Sequence, residues 1–170
     1  LKQVVAMSYL VRKIAPAKWS SAQSLEALSA DALTADLRTT NNTLSLWEID
    51  SEDELDNAVL ARAMSKKAKK IEKMDLVLIP KEIIPTEQLS IRASPGDTFA
   101  EGLSNTHREI VDLKYPSLGL FAQIIIELLS NNALTTISKA KVENIVKAAY
   151  NDKTIDISCL PEDMQRTIKK

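Results

Sequence analysis

A chain of 170 residues has the length of one domain, and folding at that size removes roughly 70% of the unfolded chain's surface from water, enough for a core without metal or disulfide support. A net charge of -1, from 22 Lys and Arg against 23 Asp and Glu, gives no general attraction to nucleic acid or to an anionic membrane. A single cysteine, Cys159, excludes an internal disulfide and is at home in a reducing compartment, so a cytoplasmic protein is expected.

Near the N-terminus, residues 4–14 alternate β-branched and aromatic side chains and read as a strand that ends before Pro16. Arg12 and Lys13 follow its apolar run and speak against a signal peptide, which needs uncharged residues there. Ser24 and Ser29 are candidate caps for one or two short helices carrying Leu25, Leu28, Ala32, Leu33 and Leu37.

Residues 43–79 are the most informative segment. Leu44 and Leu46 alternate with Ser45, Trp47 and Ile49, which is the period of a strand with two distinct faces. Asp50 or Ser51 then caps a helix whose first turns hold Glu52, Asp53, Glu54 and Asp56 and whose far end holds Lys66, Lys67, Lys69, Lys70 and Lys73. That order suits a helix dipole. Residues 74–79 close the unit as a second strand, and the crossover is long enough to join parallel neighbours.

A long connection is expected over residues 80–104, marked by Pro80, Pro85 and Pro95 with one short strand at 88–91. The remainder, 106–170, reads as mainly helical. Thr106 and Glu109 have capping-box spacing for a short helix through Leu113, and Pro116 stops it. Ser117 caps a helix that is apolar almost all round, through Leu118, Phe121, Ile125 and Leu129. Asn131 and Asn132 break it, Ser138 caps a further helix over 139–150, and Pro161 opens a short last one. No run is apolar for the about 20 residues a membrane-spanning helix requires. The expected fold is therefore α+β, or mixed α/β: one globular domain over 1–170, with a sheet of about three to five strands built around residues 43–79.

Candidate chemistry is sparse. His107 is the only histidine, so imidazole chemistry has one possible carrier, and its position reads as the start of a helix or as surface. Asp97 and the later triplet Asp112-Leu113-Lys114 resemble the spacing of restriction-type nucleases, where a proline-aspartate pair precedes an acidic-x-lysine triplet. The resemblance implies two carboxylates holding Mg²⁺ against a phosphate and a lysine that polarises the attacking water. It covers these positions alone, and Gly96 separates Pro95 from Asp97.

With three glycines, one histidine and one cysteine, no phosphate-cradling loop and no zinc set is spelled out, and no cofactor or metal is expected. No aromatic residue lies among the lysines of 66–73 to stack a base, so nucleic acid is not the expected partner. The leading expectation is a non-catalytic protein that binds another protein, as an immunity factor, adaptor or accessory subunit does. Its contacts are assigned to Glu52, Asp53, Glu54 and Asp56, with Trp47 as an aromatic anchor. The rival is the Mg²⁺-dependent phosphodiesterase, and a third reading makes 118–129 a self-association face of a homo-oligomer.

Overall fold

In a computed structural model that describes residues 7–170, six strands form one sheet: β1 (Tyr9–Lys13), β2 (Leu44–Ile49), β3 (Met74–Pro80), β4 (Ser90–Ala93), β5 (His107–Val111) and β6 (Leu134–Ile137). Their spatial order is β4-β5-β2-β1-β3-β6, and every neighbouring pair is antiparallel. The helices are α1 (Leu55–Ala63), α2 (Tyr115–Ser130), α3 (Lys139–Asn151) and α4 (Glu162–Lys169). The α+β architecture expected from the sequence is what forms, with one strand more than the upper expectation. The part of the first predicted strand that falls on residues 4–6 lies outside the described residues.

The alternation in β2 sorts its side chains between two cores. Trp47 and Ile49 pack with α1, α3 and α4 on one face, around Val59, Met64, Val146 and Met164. Leu44 and Leu46 point to the other face, against α2 and the turns of residues 16–37, around Phe121, Ile125, Trp19 and Leu37. Strand β3 is covered on both sides, and so it carries buried residues at four consecutive positions, Met74 to Val77, and again at Ile79 after the half-buried Leu78. A continuous apolar run is the usual mark of a buried parallel strand. Here an antiparallel strand acquires it because helices cover both faces.

That explains a correction to the crossover. Strands β2 and β3 do run in the same direction on either side of α1, but they are not neighbours, because β1 lies between them and pairs antiparallel with both.

A second correction concerns the lysines. Helix α1 ends at Ala63, so Lys66, Lys67, Lys69, Lys70 and Lys73 lie on the following loop rather than in its last turn. The cause is visible in the backbone. The amide of Phe99 donates to the Met64 carbonyl at 2.8 Å and the Thr98 hydroxyl donates to the Ala61 carbonyl at 2.9 Å, which satisfies carbonyls that another turn of helix would have used. The long connection is thus what stops α1, and it also holds β4 and two 3-10 turns.

The C-terminal half is less helical than expected. Residues 107–111 form β5 and not a helix, paired on both sides with β2 and β4, and the Thr106 hydroxyl bonds back to the Leu103 carbonyl instead of capping. Two neighbouring strands outweigh a local capping pattern. Pro116 begins α2 rather than ending a helix before it, in keeping with the preference of proline for a first turn. Asn132 takes φ 58° directly after α2, the left-handed stop that asparagine tolerates, and the chain turns into β6. Ser138 caps α3 as expected, its hydroxyl accepting from the Lys141 amide at 3.2 Å.

Candidate functional site

The acids assigned to partner contact sit together. Glu52, Asp53 and Glu54 form a 3-10 turn leading into α1, Asp56 lies in the helix's first turn, and all four are exposed. Each has a local explanation: carboxylates at the positive end of a helix are favoured by a few tenths of a kcal/mol, roughly 0.3–1 each. Their internal partners are few. Glu52 accepts from the Tyr9 hydroxyl at 3.1 Å, Glu54 accepts from the Asp50 amide at 3.0 Å, and Asp56 pairs with Lys141 at 3.2 Å. Asp53 has no ion pair among the described residues.

Trp47 is half-buried. It stands directly opposite His107 in the β2–β5 register, and the two rings meet edge to face with centroids 5.1 Å apart. Gly96 closes the third side: a Cβ there would lie 2.3 Å from Cη2 of Trp47 and 2.9 Å from Cβ of His107, so only a hydrogen fits. His107 is therefore a buried strand residue, neither surface nor helix start. Its Nδ1 lies 3.1 Å from the Ser94 carbonyl, and burial holds its pKa below the ordinary histidine value.

The nuclease-like residues are not gathered. Asp97 follows β4, next to the His107 end of β5, where it pairs with Lys66 at 3.3 Å. Asp112 leaves the opposite end of β5 with φ 55°, and the next amide, that of Leu113, bonds to Asn42. The four steps of strand from Arg108 to Asp112 span about 13 Å at 3.3 Å per residue. Lys114 lies beyond Asp112 at the start of α2. Among the described residues, no group of three or more His, Cys, Asp or Glu side chains is arranged to hold a metal ion.

A different cluster does converge, and it takes shape where β1 and β2 part. Their pairing ends at Val11 opposite Trp47, whereas β1 continues along β3 to Lys13 and β2 continues along β5 to Leu44. Arg12 fills the fork. Its guanidinium donates from Nε and Nη2 to the Asp36 carbonyl at the end of a helical turn, and from Nη1 at 2.6 Å to the Ser45 carbonyl of β2 beyond the point where β1 and β2 part. The carboxylate of Asp36 is turned elsewhere, accepting from the Ala15 amide and from Nε1 of Trp19.

The fork opens into a cavity of about 360 Å³ lined by Arg12, Lys13, Ser45, Trp47 and Arg62. A second of about 390 Å³ adjoins it, sharing Lys13 and Arg62 and adding Lys67, Lys69, Lys70 and Glu72. Six cations thus line the pair of cavities against two carboxylates, Asp36 and Glu72. Glu72 is taken up by Lys13 and, at 3.7 Å, by Lys70, and the hydrogen bond from Lys13 keeps its pKa below the usual carboxylate range. Burial, with the charge of Arg62 adding to it, brings Arg12 down to about 10. Arg62 presents exposed surface, yet enough protein surrounds it that burial lowers it as well.

Arg12, Lys13 and Arg62 do not stand out as a site in the sequence. The available signal was the arginine and lysine that end an otherwise apolar strand; that Arg62 joins them follows only from the way α1 lies over β1 and β2. Comparisons with protein-family models, with curated proteins and with solved structures give no match. No helix among the described residues is long and apolar enough to cross a membrane.

Proposed function

We propose that the chain is a non-catalytic cytoplasmic protein that acts by binding another protein, in the manner of an immunity factor, adaptor or accessory subunit. One observation carries this reading: charge is segregated along α1. Glu52, Asp53, Glu54 and Asp56 gather at its start, while Arg62, Lys67, Lys69 and Lys70 gather at and beyond its end. About 14 Å separates the ends of a nine-residue helix at 1.5 Å per residue. Few of these side chains are neutralised internally; Asp53, Arg62, Lys67 and Lys69 have no ion pair among the described residues. Exposed charge of one sign at each end of a short helix orients an approaching protein of complementary charge and speeds encounter.

The test is capture from the native host with the wild-type chain and two charge-reversed variants. Glu52→Lys with Asp53→Lys and Glu54→Lys inverts one end; Arg62→Glu with Lys67→Glu and Lys69→Glu inverts the other. A protein retained by the wild type and lost by at least one variant is the expected result. The same bound proteins on all three would contradict the proposal.

A further inference from the structure

The fork between β1 and β2 has a chemistry that protein steering does not require. Its cations come from three separate segments, β1, the last turn of α1 and the loop after it, and converge on two adjoining cavities. A cation in the last turn of a helix is favoured by the dipole alone, which accounts for Arg62 but not for Arg12 and Lys13. Arg12 is already fixed by the Asp36 and Ser45 carbonyls. Of its five N–H groups those bonds use three, which leaves two on a guanidinium that is held rigid and needs no ordering on binding. Arg62 lines both cavities and makes no hydrogen bond or ion pair among the described residues, although the Glu72 carboxylate lies near enough for its charge to be felt. Both guanidinium groups line the first cavity, and the two carboxylates nearby are already engaged, Asp36 by the Ala15 amide and Trp19 and Glu72 by Lys13 and Lys70, so an anion drawn into the cleft is stabilised by both guanidinium groups. The cavities lie at the lower end of the size range of small-molecule sites, about 300–1,000 Å³. Trp47 supplies the apolar wall.

We propose that this fork binds a compact, multiply charged phosphate oxyanion, held between Arg12 and Arg62 with Lys13 and the loop lysines around it. The oxyanion is either free, as pyrophosphate, or the phosphate tail of a small molecule whose planar part lies against Trp47. Glycine-rich loops are one way to hold such a group; converging guanidinium groups are another, and the absence of the first in this sequence does not bear on the second.

Isothermal titration calorimetry of the full chain with pyrophosphate, and separately with adenosine diphosphate, tests this. Arg62→Gln is the informative variant, because that side chain is exposed and makes no internal bond to lose. Its fold is checked by the far-ultraviolet circular dichroism spectrum. Lys114→Gln is the charge-matched control at the far end of β5. Removing one charged hydrogen-bonding partner is expected to weaken pyrophosphate binding about tenfold or more in Arg62→Gln and less than about twofold in Lys114→Gln. Diphosphate bound about tenfold tighter than pyrophosphate, with the advantage lost in Trp47→Ala, assigns the site to a phosphorylated small molecule. Equal affinities assign it to the free oxyanion. No heat from either probe up to about 5 mM, or equal weakening in the two glutamine variants, overturns the proposal.

Discussion

Replacing Gly96 with alanine probes the contact on which the Trp47 wall depends. Gly96 does not need glycine for its backbone, since none of the glycines has positive φ. What it needs is room. An added methyl would lie 2.3 Å from Cη2 and 2.8 Å from Cζ3 of Trp47, and 2.9 Å from Cβ of His107. Ordinary contact begins near 3.4 Å, so the indole must move by about 1 Å against a half-buried position between His107 and the α1 core. Overpacking of this kind costs about 1–3 kcal/mol, offset by about 0.4–1 kcal/mol from the stiffer unfolded chain. The net loss is about 1–2 kcal/mol, and at 2–4 °C per kcal/mol for a chain of this size the midpoint should fall by about 2–8 °C. Gly102→Ala is the control, because no atom lies within 4 Å of its Cβ; it should be neutral or raise stability by up to about 1 kcal/mol. Urea and thermal unfolding followed by tryptophan emission measures both. A Gly96→Ala protein as stable as Gly102→Ala, with unchanged emission, would refute the packing described for Trp47.

Other expectations follow from single contacts. His107 is buried with its pKa held below the unfolded value of about 6.5; the unfolded chain therefore takes up the proton first. Stability should fall as pH drops from about 6.5 toward the lower folded pKa and stop falling for this reason below it, a dependence that His107→Gln removes when unfolding is measured at a series of pH values. Phe121 is fully buried at the centre of the α2 core, so Phe121→Ala should cost about 3–5 kcal/mol in denaturant unfolding. Ser138 caps α3 through one bond of 3.2 Å, and Ser138→Ala should cost about 1 kcal/mol by the same assay.

What the sequence made legible is what periodicity can carry. Strand β2 announced itself by alternation, α2 and α3 by apolar stripes ended at Asn131-Asn132 and begun at Ser138. Strand β6 is four residues long at the sheet's edge, Leu-Thr-Thr-Ile, too short for either period to register. Strand β5 was hidden behind a cap-like Thr106 and Glu109, and its real determinants are the strands on either side, including the 3.0 Å pair between Glu109 and Arg92 opposite it. The end of α1 was misplaced because what stops it, residues 97–99, arrives from 35 positions downstream in the case of Met64 and Phe99. The candidate site depends on the same kind of information. Trp47 and the acids at the start of α1 were readable in place, whereas the fork exists only because β1 inserts between β2 and β3 and then parts from β2.

The most direct measurement of the central claim, that the segregated charge at the two ends of α1 is a recognition surface, is the association rate with the captured partner as ionic strength is varied. Charge reversal at Glu52, Asp53 and Glu54, or at Arg62, Lys67 and Lys69, should change the on-rate about tenfold or more at low salt. The difference should shrink once the Debye length falls to about 3 Å near 1 M salt. On-rates that are the same for the wild type and both variants at every salt concentration would contradict it.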